Sequence, residues 1–363
     1  MNYFKTLFLP ISIALFLGSC AEPNLKDEHG LNLNFSEAKA TMKADATMEV
    51  SLYNPNNKRV DSVAYFIDDV RFAAAANGNA SIRIADGKVG QRTILARIFS
   101  GEDRFVTQKN ITVLAAKAPK AYSYEILETY PHDTKAFTQG IEFVGDTLYE
   151  STGQYGESTL RKVDYKSGTV VNSVALPGNQ FGEGLTIKDN KILQLTWQRG
   201  IGLIYDLDSM EKLDFFNYGD SRQGWGLCND GKKIYKSDGS SRIWILNPET
   251  LMEEDYIEVY THSAKIDNIN ELEFVDGKIY ANVWQRDAIA IINPATGAVE
   301  GVINTRTLKD QVAQASEDNV LNGIAYKGEP NTLYLTGKRW ENYLKWLLQK
   351  CNNPFPSLKR AVP

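Results

Sequence analysis

Phe181-Gly182-Glu183-Gly184-Leu185-Thr186 sets a carboxylate between two glycines, directly ahead of a strand-like run. Related stretches occur at Thr138-Gln139-Gly140-Ile141, Gly224-Trp225-Gly226-Leu227, Asn270-Glu271-Leu272 and Asn322-Gly323-Ile324. The recurring slot is filled by Gln139, Glu183, Trp225, Asn270 and Asn322, at intervals of 44, 42, 45 and 52 residues. Periods of about 40–50 residues built from short strands are the sequence mark of a β-propeller. Five units predict a ring of five blades, with the slot facing its axis each time.

Each slot is followed by an apolar strand: Thr147-Leu148-Tyr149-Glu150, Lys191-Ile192-Leu193-Gln194, Lys233-Ile234-Tyr235-Lys236, Lys278-Ile279-Tyr280-Ala281 and Thr332-Leu333-Tyr334-Leu335. Gly145-Asp146, Asp189-Asn190, Asp230-Gly231 and Asp276-Gly277 lead into four of them and read as hairpin turns. Third strands follow in the first four units, at 160–164, 202–206, 242–246 and 289–292. The long last interval is assigned to an insertion at 308–319, with a helix as a candidate form, and 124–130 is read as the outer strand that joins the ring's ends.

Working outward, residues 42–117 carry short alternating runs such as Met48-Glu49-Val50-Ser51-Leu52-Tyr53, separated by turn signals like Asn54-Pro55-Asn56-Asn57. They predict a small immunoglobulin-like β-sandwich that serves as a spacer or docking module. The polar stretch 21–41 reads as a tether and 115–120 as an interdomain linker. The ring domain is set at 122–363. Ahead of the tether, Lys5 precedes an apolar run too short to span a membrane, which ends at Leu17-Gly18-Ser19-Cys20. That ending resembles the lipobox of bacterial lipoproteins, with Cys20 as the lipidated residue. The expectation is an exported lipoprotein on the periplasmic face or outer surface of the bacterial outer membrane, held to the membrane by acyl chains.

Composition narrows the chemistry. A net charge of −5 with no basic stripe offers nucleic acid no general attraction. Three scattered cysteines imply no disulfide framework, and three histidines cannot assemble a His-based zinc site. Cys228 is read as a small buried filler, and His132 and His262 as surface or loop residues.

If inner strands line a channel, residues at equivalent positions converge at one mouth. Besides the slot, a second position follows the second strand: Gly153, Trp197, Gly239, Trp284 and Lys338. Phe137 and Phe181 lie two residues ahead of Gln139 and Glu183. The set offers one acid, three carboxamides, three indoles and one ammonium. It suits a small polar substrate between aromatic walls, with an acid able to shuttle a proton and amides or lysine to stabilise an oxyanion.

At these residues the chain resembles the glutaminyl-peptide cyclotransferases of plant and bacterial type. The resemblance runs from about residue 122 to 340 and rests on ordered motifs. They include Phe137-Thr138-Gln139-Gly140, Tyr149-Glu150-Ser151-Thr152-Gly153-Gln154-Tyr155-Gly156, Phe181-Gly182-Glu183-Gly184, Leu195-Thr196-Trp197-Gln198, Ala281-Asn282-Val283-Trp284-Gln285 and Thr336-Gly337-Lys338-Arg339-Trp340. It implies a five-bladed propeller that converts N-terminal glutamine of peptide or protein substrates to pyroglutamate and releases ammonia. It implies an acid/base role for Glu183, with Lys338 and Asn270 beside it in catalysis. Phe137, Gln139, Phe181, Trp197, Trp225, Trp284 and Asn322 are expected to bind substrate. No catalytic metal or cofactor is expected, although a structural calcium ion is compatible with the channel.

Past Trp340 the family continues with a Pro-Lys-Leu-Phe-Glu-Val-like strand. Here Glu341-Asn342-Tyr343-Leu344-Lys345-Trp346-Leu347-Leu348 stands instead, readable as a strand or a helix, so closure of the last unit is left open. Two rival functions are a non-catalytic peptide-binding propeller and a metal-dependent lactonase-type hydrolase. The second needs several acids around one cation, whereas the predicted rings contain one.

Overall fold

The computed structural model describes residues 30–351 apart from 38–39, 77, 313–315 and 317. The expected export signal, Cys20 and the first part of the expected tether lie outside these residues, as does 352–363.

The described chain is all-β but for one short 3-10 turn, Arg306–Gln311, inside the insertion. Residues up to about 114 form two packed sheets. One contains Asn32–Phe35, Thr47–Tyr53 and Asn79–Arg83; the other runs in the order Thr41–Lys43, Asp103–Leu114, Gly90–Ser100, Ser62–Ile67, Val70–Ala75. Strand alternation builds their shared core. Met48, Val50, Ile82, Ile94, Ala96 and Ile98 are buried while their neighbours face out. The stretch expected to be tether supplies part of this unit. Leu31 and Leu33 are buried in the core, so 31–35 is structure rather than linker. The alternation Leu31-Asn32-Leu33-Asn34-Phe35 is the reason.

Three four-stranded antiparallel sheets follow in simple order. They are Thr138–Val144 to Thr169–Ala175, Gly182–Lys188 to Lys212–Asn217, and Leu227–Asn229 to Glu253–Glu258. A fourth set, Ile269–Val275 to Val299–Asn304, shares one eight-stranded sheet with the last strands of the chain. Each first strand packs on the next one around, and Leu321–Ala325 returns to Thr138–Val144. The arrangement is propeller-like. Burial follows it: Thr332–Gly337 is buried throughout, while Thr169–Ala175, an outer strand, is exposed at all but one position. Inner strands covered on both faces therefore read as near-continuous apolar runs. Several of the turns have the positive φ that tight hairpins require, with Asp189 at 50°, Asn190 at 59°, Asp276 at 46° and Gly277 at 80°.

The glycine after the slot has a steric cause. A Cβ on Gly184 would lie 2.7 Å from Gly226 Cα, and one on Gly226 would lie 2.1 Å from the Asn270 carbonyl oxygen. Adjacent inner backbones touch here, and only a residue without a side chain fits.

The ends of the ring are joined by Lys120–Pro131. It pairs antiparallel with Asn342–Lys350 along nearly its whole length and parallel with Val299–Asn304 at residues 120–122. Residues 342–350 are thus a strand, paired on its other edge with Thr332–Gly337, and the helical alternative is excluded. His132, expected at the surface, is 7% exposed. Its Nε2 lies 2.9 Å from Glu150 Oε1 and its Nδ1 2.7 Å from the Trp340 carbonyl oxygen. It joins the two ends of the ring, and the residues that bury it are distant in sequence.

Candidate functional site

The inner strands bring the expected residues together. Asn322 Nδ2 donates to the Thr138 carbonyl and to Gln139 Oε1, each at 3.0 Å. Phe137 and Phe181 meet edge to face with centroids 6.2 Å apart, and Phe181 lies 5.5 Å from Trp197. Trp225 and Trp284 cross at 89° with centroids 5.8 Å apart. The Lys338 ammonium sits 4.8 Å from the Phe137 ring centroid. The glycines of the second position make room for these rings. A Cβ at Gly153 would lie 2.2 Å from the Phe181 ring, and one at Gly239 2.6 Å from the Trp225 ring.

Backbone bonds set the register. Gly153 N donates to the Phe137 carbonyl, Trp197 N to Phe181, Trp284 N to Asn268 and Lys338 N to Val320. These four second-position residues therefore sit beside the residue two before the slot, whereas the Gly239 carbonyl accepts from Asn268 N. Gln223 is the residue two before Trp225, and it was missed: its Oε1 accepts from both Trp197 Nε1 at 2.8 Å and Trp225 Nε1 at 2.9 Å. The rule that singled out Phe137 and Phe181 would have found it. Tyr155, half-exposed, adds another ring 5.5 Å from Phe181.

Glu183 is 5% exposed, and no described residue hydrogen-bonds its carboxylate. Burial pushes its pKa well above the ordinary carboxylate value, and the Lys338 ammonium pulls it part of the way back. Lys338 is 6% exposed, and burial lowers its pKa against the opposing pull of Glu183 and Asp318. The Asn270 side chain is buried with its Oδ1 unpartnered among the described residues, and so is Asn322 Oδ1. Acid, ammonium and carboxamide oxygens are held ready for groups the chain does not itself supply.

Glu183 is the one acid at the two ring positions, but other buried acids lie outside them. Glu142, Glu271 and Glu273 stand further along the inner strands, and they influence one another electrostatically. Glu271 occupies the place where other units have glycine. The Glu271 carboxylate accepts from Ile324 N at 3.0 Å, Glu273 from Tyr326 N at 2.7 Å, and Glu142 from Ile187 N at 3.1 Å and Thr186 Oγ1 at 2.7 Å. Burial raises all three, Glu142 to about 7. They are struts between neighbouring strands. Among the described residues, no group of three His, Cys, Asp or Glu is arranged to hold a metal ion. Cys228 lies buried beside them as a free thiol.

Comparison with known proteins agrees with this geometry. Residues 100–346 match the glutamine cyclotransferase family. The chain is 38% identical over 219 residues to a glutaminyl-peptide cyclotransferase of Arabidopsis thaliana, covering 60% of this chain and 68% of that protein. It is similar in structure to the crystal structure of Myxococcus xanthus glutaminyl cyclase, with a TM-score of 0.61 and 33% identity over 64% of this chain and all of that one. Its fold, its inner-strand residues and these relatives agree: the chain belongs to the glutamine cyclotransferase family, acyltransferases that turn an N-terminal glutamine into pyroglutamate.

Proposed function

We propose that Glu183 is the proton carrier of this cyclisation, with Lys338 and Asn270 beside it and the aromatic rings folding the substrate. The observation that carries the reading is a buried carboxylate with no hydrogen-bond partner among the described residues, facing a buried lysine. The neutral α-amine of the substrate attacks its own side-chain carboxamide carbon. Glu183 accepts a proton from that nitrogen and returns it to the departing amide nitrogen, which leaves as ammonia. A new C–N bond forms, the old one breaks, and no net proton is consumed. A carboxyl with a raised pKa suits both halves, because it is a stronger base when ionised and still a competent proton donor when protonated. Lys338 and the amide groups of Asn270 or Gln139 stabilise charge developing on the carbonyl oxygen. Phe137, Phe181, Trp197, Trp225 and Trp284 hold the glutamine side chain curled toward its own amine, which removes much of the entropic barrier.

The scaffold is read as a five-bladed propeller behind an N-terminal immunoglobulin-like sandwich. Cyclic contacts among the first strands and repeated four-strand order support it. The lipobox-like Leu17-Gly18-Ser19-Cys20 supports export and lipid anchoring at the outer membrane. Radiolabelled palmitate incorporation that disappears in Cys20→Ser tests the anchor. Ammonia release from a Gln-initiated dipeptide tests the chemistry. Wild-type rates in Glu183→Gln would remove Glu183 from the mechanism.

A further inference from the structure

Two of the aromatic walls share one hydrogen-bond acceptor. Gln223 Oε1 receives Trp197 Nε1–H at 2.8 Å and Trp225 Nε1–H at 2.9 Å, so one side chain ties rings from two different sheets. An indole nitrogen only donates, so the carboxamide oxygen must face both rings, and the orientation of the amide is fixed. The clamp is anchored in turn. The Gln223 carbonyl accepts from Lys236 Nζ at 3.0 Å, and Gly224 N donates to the Trp197 carbonyl at 3.1 Å. Lys236 is wholly buried and is held by Glu253 Oε1 at 3.1 Å and by the Ser221 hydroxyl. Ser221 N donates to Glu253 Oε2 at 3.0 Å, which closes the network under the loop. None of these groups takes part in the proton transfer.

We propose that Gln223 is a positioning residue for the cyclisation: it locks the Trp197 and Trp225 indoles in the pose that shapes the substrate pocket, and the buried Lys236–Glu253 pair sets its height beneath them. This rests on the reading of those indoles as substrate walls. A conjugated ring free to turn about its Cα–Cβ and Cβ–Cγ bonds leaves the glutamine side chain free to extend, whereas two locked rings admit it curled.

The test compares the full-length wild type with Trp197→Leu, Gln223→Leu and Gln223→Glu. It reads KM and kcat on a Gln-initiated dipeptide, and the indole N–H resonances of 15N-tryptophan-labelled protein. Gln223→Leu is expected to raise KM about tenfold with kcat within about threefold, and to move two indole resonances upfield. Gln223→Glu keeps an acceptor at the same reach and is expected to keep both resonances and stay within about threefold of the wild-type KM. Unmoved indole resonances in Gln223→Leu would overturn the clamp. So would a raised KM in Trp197→Leu accompanied by an unchanged KM in Gln223→Leu, while leaving the walls in place. An unchanged KM in both variants would overturn the wall reading and the inference with it. Should Gln223→Leu fail to fold, Gln223→Asn, too short to reach both rings, carries the same measurements.

Discussion

The ring contains two buried lysine–glutamate pairs that are built in opposite ways. Lys236 and Glu253 make an ion pair at 3.1 Å, and their remaining bonding capacity is taken up by Ser221 and the Gln223 carbonyl. Lys338 and Glu183 are as deeply buried, yet among the described residues the Lys338 ammonium and the Glu183 carboxylate form neither an ion pair nor a hydrogen bond with each other or with any neighbour. Both lysines have lowered pKa values, burial being the main cause in each. Burial and perturbed titration therefore do not separate the site from the scaffold. What separates them is whether the buried charge is already satisfied. Glu142, Glu271 and Glu273 fall on the scaffold side by the same criterion, since backbone amides serve each of them.

The sharpest way to break this comparison is to neutralise both acids. Glu183→Gln should cut kcat by about 1000-fold, the range expected for removing general acid/base catalysis. Its urea midpoint should stay near the wild-type value, because no protein hydrogen bond is lost. Glu253→Gln should do the reverse. It leaves Lys236 buried without its counter-charge, which costs about 3 kcal/mol in urea unfolding, while kcat stays within about threefold. If Glu253→Gln instead abolished turnover at full stability, the two pairs would have to exchange roles.

Lys338→Met sharpens the electrostatic half. The ammonium lowers the Glu183 pKa, so removing it should move the acid limb of the kcat/KM profile to higher pH, with the maximum falling about 10–100-fold. An acid limb that stayed in place would mean the two charges do not sense each other. The smallest effect concerns Glu150, at the joint of the ring. Burial raises its pKa, but the charge and hydrogen bond of His132, with Arg161 and Thr138, outweigh burial and bring it below 4.5. A lowered folded pKa contributes stability above the unfolded value that is lost as pH falls through the folded one. Glu150→Gln should therefore flatten the pH dependence of the unfolding free energy below pH 4.5 by about 1 kcal/mol, read from urea titrations at several pH values.

The sequence carried the repeat because sterics force it. Gly140, Gly184 and Gly226 recur where backbones touch, so the slot beside them can be found by eye. Asn270 was found although its unit replaces that glycine with Glu271, but the role of Glu271 was not, because its partner Ile324 lies 53 residues away. Gln223 was legible by its offset and was overlooked because the flagged residues at that offset were aromatic. His132 could not be read locally: its neighbours Glu150, Thr336 and Trp340 meet only when the chain's ends join. The short strand Asn32–Phe35 was visible in its alternation but lay in a segment polar enough to pass for linker.

The pairing of Lys120–Pro131 with Asn342–Lys350 has a consequence for synthesis. During translation, the early partner emerges more than 200 residues ahead of the late one. Until then its hydrogen-bonding edge has no mate, and Thr332–Gly337, which leads to Lys338, lacks the partner on its outer edge. A chain broken off before residue 342 would bear Glu183, Asn270 and Lys338 yet lack the strand that pairs with Lys120–Pro131 to join the two ends of the ring.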